Sequence, residues 1–261
     1  MSGTIYIKSD VREIPVVIEL PAGEGGQRPG VVMLHGTASH KDEVGGSYRR
    51  LARLMAAEGI ASVRLDFLGH GESGGFDGDF DFAAARSDLL AATAYLRSLK
   101  EVDPNRVGVM GWSQGGVHAC LAAAEEPGFC GVVTWASGLW STESIAPPKI
   151  RQEAETKGFG TVGLEWGPPF HVGRQWIEDA DRLNDPVKIA GQISCPVLAI
   201  IGTEDFMTVA GVESIIAGCR NKSSRMYVIP GGNHTMNSLT LDTRVFYEAA
   251  AATILWWKEF L

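Results

Sequence analysis

A glycine-rich turn in the middle of the chain carries the serine best suited to act as a nucleophile. Residues 108–116 read GVMGWSQGG, an apolar run that leads through G-x-S-x-G into an alanine-rich stretch. A strand, a sharp turn and a helix in this order can hold a serine in a strained conformation, and glycines two residues before and after it relieve the crowding. We therefore predict that Ser113 is a nucleophile at the end of a buried strand.

A serine hydroxyl is a weak nucleophile and needs a neighbouring base, for which His234 is the best placed of the six histidines. It ends a glycine-rich segment, residues 228–234 (VIPGGNH), after the last apolar run. The imidazole needs a carboxylate to fix its tautomer, and Asp205 follows the preceding apolar run, with Glu204 as the rival acid. Because the carboxyl ends of parallel strands meet at one edge of a sheet, we predict a triad of Ser113, His234 and Asp205 there.

The element that must bring these residues together is a predicted eight-stranded, mostly parallel sheet flanked by helices, which places the chain in the α/β class. Short apolar, β-branched runs alternate with longer helical ones after two opening strands that can pair as an antiparallel hairpin. Continuous apolar runs are typical of parallel strands buried on both faces. The predicted strands are Thr4–Lys8, Ile14–Leu20, Val31–Leu34, Ala61–Leu65, Val107–Met110, Val132–Trp135, Val197–Ile201 and Met226–Ile229.

Helices are predicted where apolar residues recur at spacings of three and four. The clearest are Ser47–Glu58, Phe82–Leu99, Gly115–Glu125, Val209–Ala217 and Leu241–Phe260. The last of them runs into an unusually apolar C-terminus, residues 254–261 (ILWWKEFL). We expect this end either to pack on its own sheet or to form the surface of a homodimer.

One stretch breaks the alternation of strands and helices. Residues 138–192 are rich in proline and glycine and are much longer than a plain crossover between parallel strands requires. We therefore divide the chain into a core, residues 1–137 and 193–261, and a small inserted cap, residues 138–192. The cap carries three candidate substrate-binding residues, Trp140, Trp166 and Trp176, which are equally candidates for a small core of its own.

Composition excludes several classes of function. With 23 Lys+Arg against 31 Asp+Glu the formal charge is −8, which argues against binding to nucleic acid or to an anionic membrane. No run approaches the roughly 20 apolar residues of a membrane span, and the N-terminus lacks the features of a secretory signal, so we expect a cytoplasmic location. The four cysteines form no C-x-x-C pair, no histidines stand at metal-ligand spacing and no phosphate-binding loop is present. We expect neither a metal nor a cofactor.

The order Ser113, Asp205, His234 along the chain is the order found in α/β-hydrolases. Residues 34–37 (LHGT) and 66–73 (DFLGHGES) add two further pieces of that pattern. The chain thus resembles the α/β-hydrolase family over essentially its whole length. The resemblance implies the α/β-hydrolase fold, with the eight-stranded sheet and the inserted cap described above.

The same resemblance implies an oxyanion hole, the pair of N–H groups that binds the developing negative charge. In the family these are the backbone N–H just after the His-Gly pair and the one just after the nucleophile. Carried over, they belong to Thr37 and Gln114, with Ala38 as a fallback for the first. We expect His35 to orient the loop that carries Thr37, called the oxyanion loop below. His118 lies inside the helix after the nucleophile, and we expect it to be a packed or surface residue.

A Ser-His-Asp triad implies acyl transfer through an acyl-enzyme. The pattern looks most similar to small esterases, including the cinnamoyl and feruloyl esterase group, which share the H-G-x-x-x-x-K start found at His35–Lys41. The predicted function is therefore hydrolysis of small-molecule carboxylic esters with apolar or aromatic acid or alcohol groups. Thioester, carbon–carbon or peptide bond cleavage by the same triad, and a non-catalytic ligand receptor, remain alternatives because the pocket selects the substrate.

Overall fold

The computed structural model describes residues 3–10, 12–23, 26–138, 145–163, 169–183 and 185–261. Ten strands are formed by these residues. In chain order they are β1 (Ile5–Lys8), β2 (Glu13–Glu19), β3 (Arg28–Leu34), β4 (Ala61–Leu65), β5 (Val102–Trp112), β6 (Val132–Trp135), β7 (Phe159–Val162), β8 (Phe170–Gly173), β9 (Val197–Gly202) and β10 (Arg225–Ile229).

Eight of the strands make one sheet in the order β1-β2-β4-β3-β5-β6-β9-β10, and β7 and β8 form a separate antiparallel pair. Pairing is antiparallel between β1 and β2 and between β2 and β4, and parallel from β4 to β10. The predicted α/β-hydrolase architecture and its opening hairpin are confirmed. The middle strand β5 is longer at both ends than its apolar run predicted.

Helices cover both faces of the large sheet. They are α1 (Ser47–Ala57), α2 (Phe82–Ser98), α3 (Gln114–Glu125), α4 (Pro148–Lys157), α5 (Arg174–Arg182), α6 (Pro186–Ala190), α7 (Val209–Gly218) and α8 (Arg244–Phe260). Side-chain caps begin three of them: Asp81 accepts from the Ala84 N–H at the start of α2, and Asp185 and Thr208 do the same for α6 and α7. All five helices predicted from periodicity are present.

Two hydrophobic cores lie on opposite faces of the sheet, because successive strand residues point to opposite sides. Along β3, Val31 and Met33 face α1 and α8, whereas Val32 and Leu34 face α2 and α3. The apolar C-terminus is part of the first core: Trp256 and Trp257 of α8 are fully buried. The C-terminal helix thus packs on its own sheet.

The segment predicted to form a cap, residues 138–192, contains α4, the β7–β8 pair, α5 and α6 in its described part. Its inner face joins the core beside α2, because Val172, Trp176 and Ile177 belong to the same buried cluster as Phe82. No helix in the ranges that the structure describes is long and apolar enough to cross a membrane.

Candidate active site

The serine of the G-x-S-x-G turn stands at the carboxyl end of β5 and immediately before α3. Its backbone has a positive φ, with φ 51° and ψ −120°, and its N–H donates to the Trp135 carbonyl of the neighbouring strand at 2.8 Å. Both flanking glycines are required by contact: a Cβ at Gly111 would lie 2.0 Å from the Gly115 carbonyl oxygen, and one at Gly115 would lie 2.2 Å from the Leu34 oxygen. Strand and helix are therefore packed backbone to backbone around Ser113.

The predicted base reaches this serine from the loop after β10. Nε2 of His234 lies 3.1 Å from Oγ of Ser113. The loop is fixed by the Trp112 indole N–H, which donates to the His234 carbonyl at 2.9 Å, and by the Asn233 side chain, which accepts from two backbone N–H groups of its own turn. The residue before the nucleophile thus anchors the residue that carries the base.

The predicted acid, Asp205, is hydrogen-bonded to the predicted base. Oδ1 of Asp205 lies 2.9 Å from Nδ1 of His234, and the carboxylate is fully buried. A close approach of two glycines joins the loops that carry these residues, since a Cβ at Gly202 would lie 1.9 Å from the Gly232 oxygen. The rival acid Glu204 is exposed to solvent. The structure thus brings Ser113, His234 and Asp205 into one hydrogen-bonded chain.

This geometry sets the protonation of the imidazole. Asp205 accepts a hydrogen bond from Nδ1–H, so Nε2 carries a lone pair directed at the Ser113 hydroxyl. Ser113 also lies at the N-terminus of α3, where the helix dipole favours negative charge. The arrangement can therefore remove the serine proton and stabilise an anion beside it.

The two residues predicted to provide the oxyanion hole lie next to each other. The Thr37 hydroxyl donates to Oε1 of Gln114 at 2.5 Å, and the Thr37 segment passes close to the nucleophile, because a Cβ at Gly36 would lie 3.2 Å from Cβ of Ser113. Neither backbone N–H, at 37 or at 114, is hydrogen-bonded to another residue in the described ranges. Both amides are therefore free to donate to a ligand oxygen.

A buried carboxylate that the sequence reasoning missed holds this loop in shape. Glu43 has a positive φ of 58° and accepts hydrogen bonds from the Gly36 N–H, the Ser39 hydroxyl and the Val44 N–H. Burial raises the pKa of the Glu43 carboxyl, although these three donors act in the opposite direction. No spacing rule points to Glu43, because the φ value that turns its side chain inward is invisible in the sequence.

A second missed group ties the oxyanion loop to the segment after β4. The fully buried Asp66 carboxylate accepts from the backbone N–H and the ammonium of Lys41 and from the Glu72 N–H. Burial alone would lower the pKa of Lys41, but its hydrogen bonds to Asp66 and Glu72 raise it. The two motifs at 35–41 and 66–73 contain these three residues, so their pairing is the signal that could have revealed the contact.

His35 and His70 lie beside this loop rather than on the serine. His35 is buried, accepts from the Phe67 N–H at 3.1 Å and lies 2.8 Å from the Gly36 oxygen through Nδ1. Burial, with a smaller contribution from the neighbouring His70, holds the pKa of His35 well below its usual value. Its position is the one expected for a residue that orients the oxyanion loop.

An aromatic ring not singled out from the sequence stands over the base. The Phe206 ring lies 4.2 Å from the His234 ring, centroid to centroid, at 34° between planes. This side chain is 69% exposed although it is large and apolar. Phe206 therefore presents an open aromatic surface at the mouth of the site, directly after the acid Asp205.

The three cap tryptophans have different outcomes. Trp176 is only 5% exposed and its ring packs against Phe82, 6.1 Å between centroids, so the side chain is part of the core under the cap. Trp140 and Trp166 lie outside the described residues. Within the described ranges, no group of three or more His, Cys, Asp or Glu side chains is arranged to hold a metal ion.

Comparison with known proteins agrees with this architecture. A family model described as "Serine aminopeptidase, S33" matches residues 26–166, which is more than half of the chain. The chain belongs to this family. Among curated relatives, this α/β-hydrolase is 26% identical over 240 residues to 2,6-dihydropseudooxynicotine hydrolase of Paenarthrobacter nicotinovorans. The match covers 89% of the chain but only 59% of that relative, so the chain spans less than two thirds of its length.

Solved structures show the same fold. Est1E from Butyrivibrio proteoclasticus, solved with ferulic acid bound, superposes with a TM-score of 0.77 at 19% identity and covers 98% of both chains. A soluble variant of monoglyceride lipase from Saccharomyces cerevisiae, in complex with a substrate analog, gives 0.80 at 17% identity, covering 99% of this chain and 96% of that one. These similarities show that the protein has the α/β-hydrolase fold.

Proposed function

We propose that this α/β-hydrolase cleaves carboxylic esters through an acyl-enzyme on Ser113, with His234 as the general base and Asp205 as its orienting carboxylate. The observation that carries the proposal is the unbroken hydrogen-bonded chain from Asp205 through His234 to Ser113. A base within hydrogen-bond reach of the nucleophile, oriented in turn by a third group, is the arrangement that nucleophilic catalysis requires.

The reaction follows from the positions of the atoms. Oγ of Ser113 attacks the ester carbonyl carbon while its proton passes to Nε2 of His234, and the carbonyl oxygen becomes an anion bound by the N–H groups of Thr37 and Gln114. The carbon–oxygen bond to the alcohol then breaks, and the alcohol leaves with the proton from Nε2. A water molecule then gives a proton to Nε2 and adds to the acyl carbon. The bond from that carbon to Oγ breaks, and Oγ takes the proton back from Nε2, which releases the acid and restores Ser113.

For the substrate we propose a small ester with an apolar or aromatic acid or alcohol group. The open Phe206 ring beside His234 supports this class, because it offers a flat apolar surface where the leaving group must depart. The fold neighbours solved with ferulic acid and with a substrate analog agree with a site of this kind. Trp140 and Trp166 stay candidate contacts from the cap, whereas Trp176 has its ring engaged in core packing.

The test is a substrate panel for the wild type and Ser113→Ala. The panel contains p-nitrophenyl esters, hydroxycinnamate esters and aminoacyl p-nitroanilides, the last because the family description names an aminopeptidase. We expect the wild type to hydrolyse esters and Ser113→Ala to be slower by about 10⁴-fold or more. Ser214→Ala, an exposed serine that donates only within its own helix, is the matched control and should behave as the wild type.

Two results would contradict the proposal. Ester hydrolysis that persists in Ser113→Ala would rule out the serine mechanism. Anilide cleavage that exceeds ester cleavage would assign the triad to peptides instead. An alkyl phosphonate that labels the wild type, with the mass increase located on the peptide containing Ser113, checks the nucleophile independently of the substrate chosen.

A further inference from the structure

Three hydrogen-bonded side chains connect the two backbone segments that carry the N–H groups of the proposed oxyanion hole. The Thr37 hydroxyl donates to Oε1 of Gln114 at 2.5 Å, and Nε2 of Gln114 lies 3.3 Å from Nε2 of His118. Thr37 belongs to the loop after β3, whereas Gln114 and His118 lie one turn apart on α3. The side chain of Gln114 thus bridges the two backbone segments whose N–H groups are proposed to bind the reacting oxygen.

The chemistry of the groups fixes the direction of each hydrogen bond. The amide nitrogen of Gln114 can only donate, so Nε2 of His118 must accept and the imidazole proton must be on Nδ1. Burial lowers the pKa of His118 to about 3, so the ring is a neutral acceptor at neutral pH. The contact therefore persists at that pH.

The His118 ring is itself held from three sides. Phe67, Phe80 and Phe82 contact it edge to face, with centroids 5.6, 5.7 and 4.9 Å away. Phe67 also packs against His35, 4.8 Å between centroids, directly before the Gly36–Thr37 turn. The Phe67 ring thus contacts both His35 and His118. Because three phenyl rings surround it, His118 has little freedom to rotate away from Gln114.

We propose that His118 is a positioning residue for the oxyanion hole, which acts by holding the Gln114 side chain so that Gln114 and Thr37 keep their two backbone N–H groups at a fixed spacing. The proposal rests on the proposed function, since it assigns a role in the same ester hydrolysis. It also assigns the Thr37 hydroxyl: because that proton is given to Gln114, the donor to the oxyanion at position 37 is the backbone N–H. The contact of such donors is needed in the transition state rather than in substrate binding.

The test compares two replacements of His118, one that keeps a hydrogen-bond acceptor and one that removes it. His118→Gln keeps a hydrogen-bond acceptor near the position of Nε2, whereas His118→Phe keeps the ring and loses the acceptor. We expect His118→Phe to lower kcat about 10- to 100-fold with KM little changed, because a misplaced donor costs a large part of what an absent one does. We expect His118→Gln to stay within about threefold of the wild type.

Two further readouts separate positioning from a loss of stability. An alkyl boronic acid, which adopts a tetrahedral form on the serine, should lose affinity by the same factor as kcat in His118→Phe, while the carboxylic acid product should bind unchanged. Thr93→Val removes another buried threonine hydroxyl, one that donates to the Leu89 carbonyl within α2, a helix that contributes no residue to the triad. It should lower the melting temperature and leave kcat unchanged.

A second variant tests the other end of the three hydrogen-bonded side chains. Thr37→Val should lower kcat as His118→Phe does, and the double variant should fall little below the worse single one, because each substitution releases the same Gln114 side chain. Unchanged kcat in His118→Phe, an equal loss in His118→Gln, or strictly multiplicative losses in the double variant would overturn the proposal. Absence of any Ser113-dependent turnover in the wild type would instead refute the proposed function and, with it, this role of His118.

Discussion

Replacement of Asp205 by asparagine isolates the contribution of one buried carboxylate. The change preserves the size of the side chain but replaces the carboxylate with an amide. In the wild type, Oδ1 of that carboxylate lies 2.9 Å from Nδ1 of His234. When His234 becomes an imidazolium during the reaction, the lost attraction is about 332/(20 × 4), or about 4 kcal/mol, for charges about 4 Å apart at an effective dielectric constant of about 20. At about 1.4 kcal/mol for each factor of ten, kcat should fall about 10³-fold, and an amide that donates to Nδ1 would add to this by reversing the tautomer.

The assay is the initial rate of p-nitrophenyl ester hydrolysis at pH 7.5 at saturating substrate. Glu204→Gln is the matched control, since it removes the neighbouring carboxylate, which is exposed, and should keep kcat within about twofold. Thermal unfolding of both variants verifies that each is folded. If Asp205→Asn kept more than a tenth of the wild-type kcat, or if Glu204→Gln lost as much as Asp205→Asn, the assignment of the acid would be wrong.

Three further outcomes follow from the packing and the charges. Gly115→Ala should lower the free energy of unfolding by about 3 kcal/mol or more and abolish activity, because its Cβ would lie 2.2 Å from the Leu34 carbonyl oxygen. Gly163→Ala is the control, since a Cβ there meets nothing within 4 Å, and it should change the free energy of unfolding by less than about 0.5 kcal/mol. Urea titrations measure both. Burial raises the pKa of Asp88 from 3.8 to about 6 despite its ion pair with Arg12. The stabilisation that the protonated carboxyl gives the folded state is therefore fully present below about pH 4 and is lost as the pH rises through about 6. From pH 7.5 to pH 4 the wild type should therefore gain up to about 3 kcal/mol relative to Asp88→Asn, and a constant difference between the two would contradict this account. Because α8 buries both of its tryptophans on its own sheet, light scattering at micromolar concentration should give a mass near 28.0 kDa, and twice that mass would show that another face forms a dimer.

The sequence predicted which three side chains meet, because each of them is marked by a local pattern and the order of the strands brings the three positions together. Ser113, Asp205 and His234 each follow an apolar run, and parallel strands of that kind end at one edge of the sheet. Their three-dimensional proximity therefore needed no information beyond the order of strands. The boundaries of β4 and β6 were correct to the residue, and both are short, fully buried runs.

What could not be predicted depends on contacts across long stretches of sequence. The β7–β8 hairpin in the cap was missed because each strand has only four residues and no alternation strong enough to separate it from a loop. The burial of Glu43 depends on a positive φ, and the role of His118 depends on the amide of Gln114 and on three phenyl rings from another part of the chain. A histidine four residues after a polar side chain on a helix is too common to stand out.

The place where the cap enters the chain has a consequence for protein engineering. Strands β6 and β9, which flank the cap in sequence, pair directly with each other, so the sheet's hydrogen bonding does not pass through the inserted segment. A donor segment from another family member can therefore be grafted between them without altering the order of strands. Such a chimaera must reproduce the apolar positions that the inserted segment contributes to the core, and among them Trp176 and Ile177 of α5 belong to the same buried cluster as α2. Libraries that aim at new selectivity should thus vary the outward positions of this segment and keep those two residues constant.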